Sequence, residues 1–145
     1  MQEKKEGTLY IVSTPIGNLE DMTHRAIRIL GEVEVVAAED TRRTLQLLNH
    51  FGIKNRLVSM HEHSNEGRIE EVVTLLKDGC DVALCSDAGT PVISDPGAPL
   101  IRRAAEEGLE IVAVPGACAA IAALCVSAIS AEQFLFWGFL PKKKK

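Results

Sequence analysis

A chain of 145 residues with 46% apolar and 25% charged residues can bury one proper core and has no room for a second domain of ordinary size. Aromatic residues are only 4%, so the core must be built from Val, Ile, Leu and Ala, the composition of parallel strands covered by helices. A formal net charge of −4 excludes a domain that grips nucleic acid by overall charge, while leaving a local basic face open.

Thr8 to Val12 is a short β-branched run closed by Pro15, which predicts a first strand. Thr23 is placed to cap a helix through Leu30, with Ala26, Ile27 and Leu30 on one face and Gly31 as its stop. Val33 to Ala38 reads as a second, buried strand. Thr41 to Phe51 follows as a helix with Leu45, Leu48 and Phe51 inward and Gly52 at its end. Leu57 to Met60 is a brief third strand, and Ser64 to Lys77 a helix, because Ile69, Val72, Val73 and Leu76 fall at i, i+3, i+4 and i+7 before Gly79. Then come a strand at Val82 to Cys85, a helix at Ala98 to Glu107, a strand at Leu109 to Val114, an Ala-rich helix at Ala117 to Ile129 and a last strand at Phe134 to Trp137. Strict alternation with near-continuous apolar strands predicts an α/β fold, a mainly parallel sheet flanked by helices in three αβα layers.

Cys80, Cys85, Cys118 and Cys125 lack C-x-x-C spacing and lie in or beside apolar runs, so they read as small core residues in a reducing cytoplasm, with no metal. His61-Glu62-His63 reads as a polar loop after a strand rather than a metal site. No charged stretch leads into an apolar segment at the polar N-terminus, and the run from Ile111 to Ile129 is broken by Pro115-Gly116 and Ser127; neither a signal peptide nor a membrane span is expected.

The densest signal is Ser86 to Gly97. Twelve residues rich in Gly, Pro, Ser, Thr and Asp are more than a connection between a buried strand and a helix requires, and such loops are usually functional. Ser94 or Asp95 as a helix cap and Pro96 in the first turn would explain only its end. In open parallel sheets the ligand lies beyond the C-terminal ends of the strands, where strand order reverses. Three further features follow predicted strand ends: Thr14 to Asp21, Glu39 to Arg43 and Pro115 to Ala120. With no G-x-x-x-x-G-K-[ST] and no G-x-G-x-x-G, a nucleoside triphosphatase or nicotinamide enzyme is disfavoured; main-chain amides in Gly/Pro loops suit a nucleoside without a phosphate tail.

Together, Ile11 to Asp21, Ala38-Glu39-Asp40-Thr41-Arg42, the Ser86 to Gly97 loop and Pro115-Gly116-Ala117-Cys118-Ala119 resemble the tetrapyrrole methylase superfamily, and within it the bacterial ribosomal RNA methyltransferases. The likeness runs from Gly7 to Pro141. It implies S-adenosylmethionine as methyl donor and the ribose 2′-hydroxyl of a cytidine in small-subunit (16S) ribosomal RNA as acceptor. It also implies a two-domain enzyme with the donor between the domains. Residues 1–6 then read as a flexible N-terminus, 7–141 as the N-terminal methylase domain, and 142–145 as a basic tail or the start of an interdomain linker, with the C-terminal domain absent and the chain alone inactive. A homodimer is the candidate assembly. A tetrapyrrole or modified-protein substrate, or a non-catalytic nucleoside-binding module, are the alternatives.

By the same resemblance the donor pocket maps to Ile16, Gly17, Asp87, Gly89, Thr90, Pro91, Ile93, Ser94, Pro115, Cys118 and Ala119. Gly89 would allow close backbone approach, Thr90 or Ser94 would offer a hydroxyl, and Asp87 would attract the donor's ammonium group. Cys118 reads equally as a buried helix-start residue. Arg42 and Arg43 are candidate contacts to RNA phosphate, and Asp40 is the candidate base or orienting group for the acceptor hydroxyl; the plain alternative is a solvated helix start with acids complementing its dipole.

Overall fold

The computed structural model describes residues 5–141; the expected basic tail at 142–145 and the first four residues lie outside the described residues. Five strands, β1 (Thr8–Val12), β2 (Val35–Ala38), β3 (Arg56–Ser59), β4 (Val82–Cys85) and β5 (Glu110–Val114), alternate with helices α1 (His24–Glu32), α2 (Thr41–His50), α3 (Glu66–Lys77), α4 (Ala98–Glu106) and α5 (Ala119–Val126). The strands pair in parallel, in the order β3-β2-β4-β1-β5.

Successive strand residues point to opposite faces, so each strand feeds two cores. On one face Leu9, Val35, Val82 and Leu84 pack with Val72, Val73 and Leu76 of α3 and Leu100 and Ala104 of α4. On the other, Val12, Val36, Ala83 and Cys85 pack with Ala26, Ile29 and Leu30 of α1 and Leu48 of α2. The expected three layers are formed. Neighbouring strands β1 and β4 therefore hand the chain to opposite faces, β1 to α1 and β4 to α4, and a crevice opens between their C-terminal ends.

Several local expectations are corrected. Gly31 does not stop α1, which runs on to Glu32, because the Asn55 side-chain amide donates to the carbonyls of Leu30 and Val33 (both 2.8 Å) and so closes the helix end from outside. Leu45 faces solvent at 47% exposure, whereas Thr44 and Leu48, one turn apart, form the buried stripe of α2. α3 starts at Glu66 rather than Ser64, with the Asn65 side chain capping it by accepting from the Arg68 amide. Neither Ser94 nor Asp95 caps α4: the cap is Gly97, at φ 122°, where a Cβ would lie 2.6 Å from Leu84 Cδ2, and the proline of the first turn is Pro99.

The last predicted strand does not form. Phe134, Leu135 and Trp137 are 54%, 76% and 88% exposed, and α5, shorter than predicted, buries no residue. β-propensity describes a side chain that fits a half-buried pleated surface, and this segment has no neighbouring strand to supply one.

Replacing Asn55 by Ala should lower the unfolding free energy by about 1–2 kcal/mol, since two helix-end carbonyls lose their donor. A shifted urea midpoint at unchanged slope would register it.

Candidate functional site

The loop after β4 is tied to both strands beside β4. On the β1 side, the Thr14 amide donates to the Gly89 carbonyl and the Gly89 amide to the Thr14 carbonyl, each at 3.0 Å, an antiparallel pair added to the end of a parallel ladder. The Thr14 hydroxyl reaches the Ser86 carbonyl at 3.3 Å. The Ser13 and Thr90 hydroxyls meet at 2.9 Å, and Thr90 Oγ1 also donates to the Ala117 carbonyl at 3.2 Å, which joins the loops after β1, β4 and β5.

On the β2 side the contacts are reciprocal. The Asp87 amide donates to Glu39 Oε2 at 3.2 Å, and the Asp40 amide donates to Asp87 Oδ1 at 3.1 Å. Within the loop, Val92 and Ser94 hold φ of 76° and 60°, left-handed conformations that cost non-glycine residues of order 1–3 kcal/mol each. Such strain persists where surrounding structure enforces it, which supports reading this loop as built for a ligand.

Four concave regions open along this edge, one of them a space of about 330 Å³ lined by Ile16, Asp21, Thr23, Gly116, Ala117, Cys118 and Ala122. A recess of about 140 Å³ is lined by Ile16, Gly89, Thr90, Ile93, Cys118 and Ala119, together with Ala88, Asp95, Ala120, Phe136 and Phe139. Six of the eleven expected donor residues thus share one wall. A second cavity of about 440 Å³ takes in Gly17 and Asp87 with Arg43, Gln46 and His50, and a third of about 420 Å³ takes in Ser94 with Glu39, His61 and Asp95. Pro91 is buried and Pro115 exposed, and neither lines any of these spaces.

The Asp87 carboxylate turns toward the β2 end, to the Asp40 amide and, at 3.7 Å, to Arg43 Nε, so it lines the second cavity and not the recess. Gly89 sits in the recess floor at φ 81°; a Cβ there would lie 3.3 Å from Ile16 Cγ2. Phe136 and Phe139 were missed by sequence reading because it assigned the first to a strand; aromatic residues just after a loop-rich apolar segment were the available signal.

The acids at the edge differ sharply. Asp40 is the N-cap of α2: its Oδ1 accepts from the Arg42 amide at 2.9 Å and its Oδ2 lies 3.3 Å from Arg42 Nη2. Hydrogen bonds from the Arg42 side chain and backbone hold this carboxyl below the ordinary range, which leaves a poor proton acceptor. Glu39 and Asp95 go the other way. Burial raises both, the Asp87 charge raises both further, and hydrogen bonds from the Asp87 amide and the Ser86 hydroxyl respectively oppose the shift. Arg42 and Arg43 are 88% and 69% exposed, at the start of α2 beside the second cavity. Burial also pushes the Cys85 thiol up to about 12, keeping it a neutral core residue. Among the described residues no cluster of three potential metal ligands is present, and no helix is long and apolar enough to cross a membrane.

Comparison with known proteins fits this geometry. The profile of the family Tetrapyrrole (Corrin/Porphyrin) Methylases matches residues 8–136. The chain is 52% identical over 139 residues to a protein of Haemophilus influenzae named ribosomal RNA small subunit methyltransferase I, covering 96% of this chain and 49% of that one. It is 53% identical over 144 residues to the protein of the same name from Halalkalibacterium halodurans, covering 99% and 50%. The chain spans about half the length of the curated relatives it matches. A crystal structure of uroporphyrin-III-C-methyltransferase from Thermus thermophilus superposes with a TM-score of 0.64 at 25% identity, over 86% of this chain and 54% of that one.

A carboxyl whose folded pKa is raised adds stability below the ordinary carboxyl range, and that contribution is lost as pH rises through the elevated value. Glu39→Gln keeps an acceptor for the Asp87 amide and removes the buried charge. Its thermal midpoint should therefore exceed wild type modestly at pH 7, and the difference should close as pH falls below 4.5, the group's ordinary value.

Proposed function

Because the chain belongs to the tetrapyrrole methylase family, we propose that it forms the N-terminal half of an enzyme that transfers a methyl group from S-adenosylmethionine to the ribose 2′-oxygen of a cytidine in small-subunit ribosomal RNA. The observation that carries this reading is the identity of about half of all residues, over nearly the whole chain, with relatives named for that ribosomal RNA. A tetrapyrrole substrate is supported by the family's description and by the structural likeness at 25% identity, both more distant than relatives identical at half of all positions.

The donor residues present fit the group in part. The recess, apolar along Ile16, Ile93 and Phe136 and backed by Gly89, suits a nucleoside face, but about 140 Å³ is well below the roughly 300 Å³ of the smallest ordinary ligand pockets. That is the size of a half-site, its other wall supplied by the second half of the relatives. Ile16, Gly89, Thr90, Ile93, Cys118 and Ala119 are assigned to this wall. Gly17 and Asp87 belong to the neighbouring cavity, and Ser94, Pro91 and Pro115 shape the loops around it.

When bound, S-adenosylmethionine supplies a methyl group already activated by its sulfonium. Its transfer would leave the electron pair of the sulfur–carbon bond on sulfur and the proton of the acceptor hydroxyl with a base or water. What the protein chiefly contributes is then alignment of two bound groups. With its oxygens committed to α2 and Arg42, Asp40 is assigned to holding that helix and its arginines in place rather than to proton removal. Exposure at the start of α2 supports Arg42 and Arg43 as contacts to RNA phosphates on an otherwise acidic domain. A cytoplasmic protein that works as a homodimer, without a membrane, completes the reading.

Full-length protein incubated with labelled donor and small ribosomal subunits should yield 2′-O-methylcytidine on nucleoside analysis; label in a tetrapyrrole precursor and none in RNA would overturn the proposal. In the same protein, Arg42→Ala with Arg43→Ala should weaken RNA binding alike for all sequences and lower the log–log salt slope by roughly one unit for each phosphate no longer neutralised, with donor affinity unchanged. Binding titrations at three or more salt concentrations read this directly.

A further inference from the structure

The cavity of about 420 Å³ on the α3/α4 side has no part in the donor wall, yet Asp95 lines both it and the donor recess. Methyl transfer requires the acceptor oxygen to approach the donor carbon to about 3–3.5 Å, so the acceptor nucleoside must occupy a space that shares a wall with the donor's. This cavity meets that condition. The one beside Arg43 has no lining residue in common with the recess, and the one of about 330 Å³ shares Ile16 and Cys118, residues of the donor wall itself, and so belongs with the donor site.

Its lining is amphipathic. Met60, Ile69 and Leu100 make an apolar floor, while Glu39, Asp95 and His61 bring polar groups to its rim. About 420 Å³ is enough for a nucleoside, within the roughly 300–1,000 Å³ of small-molecule sites. The carboxyl groups of Glu39, Glu62 and Asp95 repel phosphate, so the base end of a nucleotide enters while its phosphates stay outside, toward the arginines that begin α2.

Resting on the function proposed above, we infer that this cavity receives the extruded target base and that the Glu39 carboxylate accepts a hydrogen bond from the exocyclic amino group of cytosine. A carboxylate is the acceptor suited to cytosine N4, whereas uracil presents a carbonyl oxygen at the same place and would set lone pairs against a charge. One oxygen of Glu39 is held by the protein. Its Oε2 takes the Asp87 amide at 3.2 Å, which holds the carboxyl at the β2 end and leaves its other oxygen for the ligand. The apolar floor supports the ring face. His61, whose amide is fixed by the Ser64 hydroxyl at 2.9 Å, closes the rim.

The test uses full-length protein and small subunits reconstituted with transcribed RNA carrying either C or U at the nucleotide the wild type modifies. Wild type should prefer C by about 100-fold in kcat/KM, and Glu39→Gln, whose amide can donate to uracil, should narrow that preference by about 10-fold or more. Calorimetry should show wild-type affinity for S-adenosylmethionine in the variant. Ile69→Trp, which fills the floor, should raise the KM for subunits about 10-fold with donor affinity intact. An unchanged C-to-U ratio in Glu39→Gln overturns the inference, as does an unchanged KM in Ile69→Trp or loss of donor binding in either variant. A wild-type protein that transfers no methyl group to C-bearing subunits would instead remove the functional reading on which this one rests.

Discussion

The functional edge depends on how the loop after β4 is anchored. β4 lies between β1 and β2, and each neighbour extends a grip past the end of the parallel ladder: Thr14 and Gly89 exchange main-chain hydrogen bonds, and Glu39, Asp40 and Asp87 exchange amide-to-carboxylate bonds. A twelve-residue loop would otherwise carry a large entropic cost for holding one shape. Fixed on both sides, it can keep Val92 and Ser94 left-handed and present Gly89 on the β1 side and Asp95 beside the acids of the β2 side. The strand order supplies the opening that the loop edges, because β1 and β4 send their helices to opposite faces.

The adjacent acids Glu39 and Asp40 show how finely one turn of chain divides electrostatic roles. Asp40 points to the start of α2, where a donor amide and a guanidinium stabilise its charge. Glu39, one residue earlier, points into the cleft between β2 and β4, where burial and the charge of Asp87 oppose ionisation. In a strand continuing into a helix cap, successive side chains face opposite ways, and two carboxyl groups on adjacent residues come to occupy different media.

Most of the architecture was legible because apolar periodicity and glycine punctuation are local signals. The run Ile69, Val72, Val73, Leu76 fixes α3, and the run Val82 to Cys85 fixes β4, without reference to anything distant. What escaped was non-local. The end of α1 is set by Asn55, far along the chain beyond α2; the exposure of Leu45 depends on which turn of α2 meets the sheet; and the apolar run at Phe134 to Trp137 has strand composition with nothing to pair against. At the site, the loops and their convergence could be read from turn chemistry and from resemblance. The direction of the Asp87 side chain, the separation of Asp40 from Glu39, and the sharing of Asp95 by two cavities are matters of packing that no spacing encodes.

The surface along α5 and the segment after it bears on the physical handling of this domain. Ile121, Val126, Ile129, Phe134, Leu135, Trp137, Phe139 and Leu140 are all more than half exposed, in a chain that elsewhere keeps most of its large apolar residues inside. Contiguous apolar surface of this extent is uncommon on monomeric soluble proteins and favours association. The chain by itself therefore carries a finished sheet with one apolar flank open to solvent, a surface on which copies would self-associate as concentration rises.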